Sequence, residues 1–254
     1  MPDQNGSVNL SIENNIGTVE FYHPKGNSLP GAILRKLAET ISVAGNNEDI
    51  RVIVIKSTGD GAFCAGASFD ELIAIEDFET GKNFFMGFAL VLNAMRTSPK
   101  LIIVRVHGKT VGGGVGIASA GDYTYAKTGA SVKLSELALG IGPFVVGPAV
   151  ERKVGTSAFA ALAVDATNWY SSDWALKNGL FNQVHETTEE LDSAVLALAS
   201  QLAKSSPEAM LDLKSVLWKG TKKWDRLLDQ RAEISGRLVL SEYTKNFIQQ
   251  FKAK

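Results

Sequence analysis

Two short segments of this chain are apolar almost throughout: Val-Ile-Val-Ile at 52–55, inside a predicted strand over residues 51–56, and Leu-Ile-Ile-Val-Arg-Val at 101–106. A strand with one wet face alternates apolar and polar residues. These do not, so each is expected to be buried on both faces, as strands are inside a sheet covered by helices. A loop of small residues follows each strand: Cys64-Ala65-Gly66-Ala67-Ser68 after the first, Gly112-Gly113-Gly114 after the second. Gly and Ala let backbone approach a ligand closely, so both loops can present bare amide N–H groups. Two converging N–H donors are what an enzyme needs to hold negative charge on a thioester oxygen.

The remaining pattern alternates strand with helix. Residues 8–12 and 18–22 flank Asn14-Asn15-Ile16-Gly17 and read as a hairpin. Pro30 opens a predicted helix through about residue 44, with Ile33, Leu34, Leu37 and Ile41 on one face. A charged stretch follows residue 68, then a predicted helix over 81–96 carrying Phe84, Phe85, Phe88, Leu92 and Met95. The glycine run opens a helix through Ala120, and residues 122–126 and 131–134 supply further strand. From about Ser157 the signals are mostly helical, with Ser206 as an N-cap and Pro207 at the first helical position. The expectation is an α/β core of repeated strand–strand–helix turns over residues 1–190, with a helical part over 191–254.

Charge and composition exclude several classes. The 254 residues carry a net charge of −1 and a pI near 6.3, so no basic field draws the chain to nucleic acid. One cysteine excludes an intramolecular disulfide framework and suits a reducing compartment. The start, Met1-Pro2-Asp3-Gln4, lacks a basic-then-apolar pattern. The longest uncharged stretch, residues 137–150, is 14 residues long and broken by glycine and proline, short of the roughly 20 that a membrane helix needs. A cytoplasmic protein without membrane or nucleic-acid partners is expected.

The glycine run fits neither common phosphate motif. Gly108-Lys109-Thr110 would need a glycine where Ile103 stands, and a dinucleotide fingerprint counted from Gly112 meets Ile117 at its sixth position. What remains is a strand, a sharp turn and a helix start with unpaired amides and a positive dipole end; tight backbone packing explains the glycines equally well. Cys64 would need a base to act as a nucleophile. His23, His107 and His185 show no arrangement that supplies one, so an inert buried thiol and a structural His107 are expected. The histidines have no metal-ligand spacing, and no metal is expected. Glu136, between a strand and a Gly/Pro-rich apolar segment, is either a surface carboxylate or a desolvated one whose raised pKa suits proton transfer.

Read in order, Phe-Cys-Ala-Gly-Ala-Ser at 63–68, Gly-Gly-Gly at 112–114 and Ser-Glu-Leu-Ala-Leu-Gly-Ile-Gly-Pro at 135–143 resemble the crotonase (enoyl-CoA hydratase/isomerase) superfamily. His23-Pro24-Lys25-Gly26-Asn27-Ser28-Leu29 and Gly140, Pro143, Gly147, Arg152 and Gly155 extend the likeness over most of the chain. The resemblance implies a spiral of strand–strand–helix turns whose helical C-terminal region makes trimers, often paired into hexamers. It implies an acyl-CoA substrate, with no cofactor beyond that coenzyme A. The N–H groups of Ala67 and Gly113 would hold the thioester oxygen, and Glu136 would be the acid/base. Ala65, Lys25 and Ser68 would meet the coenzyme A, the backbone around Ala65 facing the adenine. Phe247 and Lys252 would be further candidates near its phosphates, reaching across a subunit interface.

The chain also departs from the family pattern. Family hydratases use two glutamates; Glu136 keeps the second, and the first is Gly116. Ser68 stands where an Asp commonly ends the loop, and Phe144-Val145-Val146 adds bulk beside the acyl pocket. Asp70, Glu71 and Glu151 are the substitutes for a second carboxylate. Hydration, isomerisation, thioester hydrolysis and an idle acyl-CoA-binding role all stay open at this level.

Overall fold

The computed structural model describes residues 5–252, with side chains through residue 250. Strands β1 (Ser7–Glu13) and β2 (Ile16–Tyr22) pair antiparallel, from Ser7 opposite Tyr22 to Glu13 opposite Ile16. The two residues between them, Asn14 and Asn15, have φ of 51° and 63°. A two-residue hairpin needs that left-handed pair to match the twist of its strands, and Asn tolerates it.

Helix α1 (Gly31–Asn46) leads to β3 (Val52–Ser57). Helices α2 (Phe69–Ile73) and α3 (Phe78–Thr97) then lead to β4 (Leu101–Val106) and the short β5 (Thr110–Val111). Next come α4 (Gly113–Ala120), β6 (Tyr123–Lys127), β7 (Ser131–Lys133), a 3-10 turn (Leu137–Leu139), α5 (Gly147–Val164), β8 (Tyr170–Ser171), α6 (Ser172–Lys177) and β9 (Gln183–His185). The chain ends with α7 (Thr188–Ala203), α8 (Pro207–Leu217), α9 (Trp224–Leu238) and α10 (Glu242–Lys252). Among the described residues the main sheet runs β1-β2-β3-β4-β6-β9, parallel from β2 onward, and a second sheet runs β5-β7-β8.

The apolar strands are buried on both faces, as their composition predicts. Ile53 and Ile55 of β3 and Ile102 and Val104 of β4 join the main core, which includes Leu34, Leu37 and Ile41 of α1 and Leu92 and Met95 of α3. Val52, Val54 and Ile103 face the other way, against Leu191, Val195 and Ala199 of α7. Burying side chains of this size contributes roughly 1.5–3 kcal/mol each. The boundary expected near residue 190 falls inside α7, the helix that covers this second face of the sheet.

Three local features differ from the sequence expectation. α3 begins at Phe78, because the Asp77 carboxylate accepts from the Thr80 N–H at 2.8 Å and caps the helix. A five-residue helix, α2, sits inside the charged stretch, with Ser68 as its cap. Two- and three-residue strands, β8 and β9, interrupt the predominantly helical second half. Among the described residues no helix is long and apolar enough to cross a membrane.

Candidate active site

The loop at 64–68 is stitched on both sides. Leu29 N–H donates to the Gly66 carbonyl at 2.8 Å and Ser68 N–H to the Leu29 carbonyl at 3.1 Å; on the other side Val111 N–H donates to the Cys64 carbonyl at 2.9 Å. Gly66 turns the chain with φ 91°, and a β-carbon there would lie 3.3 Å from the Val111 carbonyl oxygen. Asn27 braces the loop from below. Its amide donates to the carbonyls of Thr58 and Ala62 at 3.0 and 2.9 Å, and its Oδ1 accepts from the His23 N–H. These bonds leave the Ala67 N–H without an acceptor among the described residues.

The second loop follows β5. Gly112, at φ 52° and ψ −114°, precedes α4 without a capping side chain. Gly113 is the first residue of that helix, so its N–H has no intrahelical acceptor and lies at the positive end of the helix dipole. Side chains are excluded around it by contact. A β-carbon on Gly113 would lie 2.1 Å from the Phe88 ring, and one on Gly114 would lie 2.7 Å from Cys64 Cβ. Gly112 N–H donates to the Lys133 carbonyl at 2.9 Å, which ties the loop to the strand leading to Glu136.

Glu136 caps the 3-10 turn with its own carbonyl, which accepts from the Leu139 and Ile141 N–H groups at 3.1 and 3.0 Å. Its carboxylate faces Gly112: a β-carbon there would be 3.0 Å from Oε1. The residue as a whole is half-buried, but Oε2 is fully buried and without a partner among the described residues. That desolvation pushes its pKa from 4.5 up to about 7. Of the two readings of this residue, the desolvated carboxylate is the one the fold produces.

Ala67, Gly113 and Glu136 line one cavity of about 710 Å³. Ala65 and Lys25 also line it; Lys25 is paired with Asp70, both about two-thirds exposed. Ser68 does not reach the cavity. It is 6 % exposed, and its hydroxyl accepts from the Glu71 N–H to cap α2. Phe247 of α10 lines this chain's own cavity, and the Lys252 side chain lies outside the described residues.

Of the substitutes for a second carboxylate, Glu71 and Glu151 do not line the cavity, and Asp70 lines it as a well-exposed group. Glu71 accepts from the Gly31 N–H at 2.8 Å, Glu151 from the Thr156 hydroxyl at 2.8 Å, and Asp70 is held by Lys25. Gly116 is buried beneath Val146, whose Cγ1 would be 2.7 Å from a β-carbon there. Cys64 is fully buried and its thiol is pushed up to about 12 by desolvation. His107 is away from the cavity lining; burial first, then Arg105 and Lys127, lower it to about 4, so it is neutral.

Sequence reasoning did not single out Lys133, Thr167 or Ser235, all of which line the cavity. They lie outside the motifs, on β7, before β8 and on α9, and only the tertiary fold gathers them. Asn27 stood in a quoted motif, and its buried bracing role is set by loops 31 and 35 residues further on.

The sequence profile described as "Enoyl-CoA hydratase/isomerase" matches residues 11–252. A short-chain-enoyl-CoA hydratase of Clostridium acetobutylicum is 27% identical over 251 residues, covering 98% of this chain and 95% of that protein. A carnitinyl-CoA dehydratase of Proteus mirabilis is 27% identical over 219 residues, covering 83% of this chain and 79% of the other. The crystal structure of an enoyl-CoA hydratase from Bacillus halodurans superposes with a TM-score of 0.88 at 21% identity, over 96% of this chain and 99% of that one, a likeness of fold. The main sheet, the helical C-terminal region and the profile match agree: the chain belongs to the enoyl-CoA hydratase/isomerase (crotonase) family of acyl-CoA enzymes.

Proposed function

We propose that the protein isomerises an enoyl-CoA, moving the double bond from the 3,4 to the 2,3 position. The thioester oxygen would accept from the Ala67 and Gly113 N–H groups. The ionised Glu136 carboxylate takes a proton from the α-carbon, and the C–H electron pair enters a dienolate whose negative oxygen those two donors hold. Glu136, now protonated, returns the proton to the γ-carbon and the double bond settles next to the carbonyl. No water is consumed. A carboxyl group with a pKa near 7 suits both halves, because at neutral pH neither its base form nor its acid form is scarce. Each oxyanion donor is worth roughly 2.7–4 kcal/mol in comparable sites.

One observation carries the choice of isomerisation over hydration. Among the described residues that line the cavity, Glu136 has a buried, unpartnered carboxylate oxygen while Asp70 is well exposed and paired with Lys25, and the place of a second buried carboxylate is filled by Val146. Syn addition of water needs a group to activate the water. Here the wall beside Gly113 is Phe88 and the wall over Gly116 is Val146, both apolar. A β-hydroxyl formed against them would be buried without a partner, which costs roughly 1–3 kcal/mol.

The test supplies purified protein with 3-hexenoyl-CoA and, separately, crotonyl-CoA. The expected result is conversion of the first to 2-hexenoyl-CoA, slowed by roughly 10²–10⁴ in Glu136→Gln, with slow or absent hydration of the second. Hydration faster than isomerisation, release of free coenzyme A, or ester binding without turnover would each overturn it. The helical C-terminal region carries exposed Leu211, Leu213 and Val216 on α8. These apolar groups support assembly of copies of this chain into a trimer, which sedimentation equilibrium reads directly.

A further inference from the structure

The smaller sheet brings three side chains together at the mouth of the cavity. Thr110 of β5 pairs with Val132 of β7 and Val111 with Lys133, while Val132 pairs with Tyr170 of β8. Side chains alternate along a strand, so Lys109, Val111 and Lys133 share one face; Val111 and Lys133 line the cavity there. Trp169, one residue before β8, receives both ammonium groups on its ring, with Lys109 Nζ 5.4 Å and Lys133 Nζ 5.6 Å from the centroid. The indole is 45 % exposed, Lys133 is half-buried and Lys109 exposed, so the cluster stands where the cavity meets solvent. Lys25, the other lysine of the lining, is paired with Asp70. Among the described residues neither Lys109 nor Lys133 has a carboxylate within ion-pair distance. Lys133 spends one of its three N–H donors on the Thr167 carbonyl, at 2.7 Å, which leaves two.

We infer that Lys109, Trp169 and Lys133 form an anchor for a phosphate group of coenzyme A. The inference rests on the acyl-CoA reading above and adds to it which side chains of this chain take the charge of the coenzyme. Two ammonium groups held against one ring repel each other, and an anion between them relieves that repulsion. The ring also holds both lysines in place, so little side-chain freedom is lost when the anion arrives. The position selects a phosphate. Cys64 bridges Thr110, so Ala65, whose backbone would meet the adenine, lies beside β5. Lys133 is on the next strand, two strand spacings or about 10 Å from residue 65. The phosphates of a coenzyme whose adenine rests there fall within that span, whereas the thioester at the far end of the coenzyme carries no charge for a lysine to meet.

Binding is the direct readout, because it does not depend on turnover. Isothermal calorimetry compares the native chain with Lys109→Gln combined with Lys133→Gln, a pair that removes both charges and keeps a donor for the Thr167 carbonyl. Hexanoyl-CoA should bind the double variant at least about tenfold more weakly, and its affinity for the native chain should fall more steeply with salt than its affinity for the variant. Hexanoyl-pantetheine, which has no phosphate, should distinguish the two proteins by less than about twofold. A penalty that persists with hexanoyl-dephospho-CoA assigns the contact to the pyrophosphate, and one that disappears assigns it to the ribose 3′-phosphate. Hexanoyl-CoA affinity within twofold of native, equal salt slopes, or an equal penalty for hexanoyl-pantetheine each overturns the inference and leaves the proposed reaction standing. A much larger penalty for adipoyl-CoA than for hexanoyl-CoA would put an acyl carboxylate at these lysines and overturn it too. Failure of hexanoyl-CoA to bind the native chain overturns the acyl-CoA reading and this inference together.

Discussion

Val146 fills the space above Gly116: a β-carbon on Gly116 would sit 2.7 Å from Val146 Cγ1 and 3.0 Å from its Cβ, with Leu92 at 3.6 Å. The two residues are 30 apart in the chain, and each explains the other. A valine at 146 can pack there only while 116 has no side chain, and a glycine inside α4 is tolerated because Val146 closes the gap it leaves. Gly116→Glu alone should therefore fail as a route to hydration. It overpacks the core by roughly 1–3 kcal/mol and buries a carboxylate as well, so the melting temperature should fall. Gly116→Glu combined with Val146→Gly provides room. The double variant should recover stability relative to the single one and gain measurable 3-hydroxybutanoyl-CoA formation from crotonyl-CoA. A double variant that folds and still adds no water would show that the missing carboxylate is not what bars hydration.

Glu136 links activity to stability through one proton. Its pKa in the fold, about 7, lies above the ordinary 4.5 because burial disfavours the charged form. Below about pH 4.5 folded and unfolded chains both hold the proton. As pH rises toward 7 the unfolded chain releases it and the folded chain does not, so stability falls, by of order 3 kcal/mol once pH exceeds the folded value. Glu136→Gln keeps the volume and cannot ionise. Urea titrations at pH 5 and pH 8 should show the variant gaining on the native chain as pH rises. In the same interval the native isomerase rate should climb and level off above about pH 7, as the base form fills. The variant should lose roughly 10²–10⁴ in kcat.

The Ala67 N–H can be removed without touching the ladder that holds its loop. Leu29 bonds to Gly66 and is bonded by Ser68, so the amide of residue 67 takes no part. Ala67→Pro deletes that donor. The expected result is a fall of about 10²–10³ in kcat, with KM changed only a few-fold, read from steady-state kinetics with 3-hexenoyl-CoA. A loss confined to KM would mean that the amide binds the ester without stabilising the enolate.

What was legible in the sequence was whatever repeats locally. The unbroken Val52–Ile55 run announced a strand covered twice: Ile53 and Ile55 join the core that holds Leu37, while Val52 and Val54 join Leu191 on the other side. The two small-residue loops were legible for the same reason, since glycines that lack room for a β-carbon leave a mark in the chain itself. Strands β8 and β9 are too short to carry a period. Ser68 reads as a loop residue facing a ligand until the turn of helix after it shows what its hydroxyl caps. Gly116 appeared as a missing glutamate. Only the packing of a residue 30 positions away shows that the vacancy is filled.

Cys64 should be silent toward thiol reagents. It is fully buried, its thiol is pushed up to about 12, and Gly114 packs on its β-carbon. In native protein at pH 8, Ellman's reagent should react only as fast as the chain unfolds, while protein in guanidinium chloride reacts at once. Cys64→Ala should cost about 1 kcal/mol of stability and leave turnover intact. Rapid labelling of the native chain would contradict the burial argument.

Asp122 anchors the C-terminal helices to the sheet, and the effect of removing its charge can be separated from the chemistry. Its Oδ2 accepts from Lys214 Nζ at 2.6 Å and from the Ile102 N–H at 2.7 Å, and its Oδ1 accepts from Trp218 Nε1 at 2.8 Å. The two charged side chains are 6 % and 4 % exposed, and Arg152 stacks on Trp218 with its guanidinium 4.3 Å from the ring centroid. Burial already lowers the Lys214 pKa, and Asp122 opposes that shift. Asp122→Asn leaves the ammonium buried without its counter-ion, so the variant should lose about 3–5 kcal/mol in urea unfolding. Lys214→Met on top of it removes the stranded charge and should restore a large part of the loss. Neither side chain lines the cavity, so kcat per folded molecule should hold in both variants. A drop in kcat at full occupancy of the folded state would mean that this anchor also positions the site.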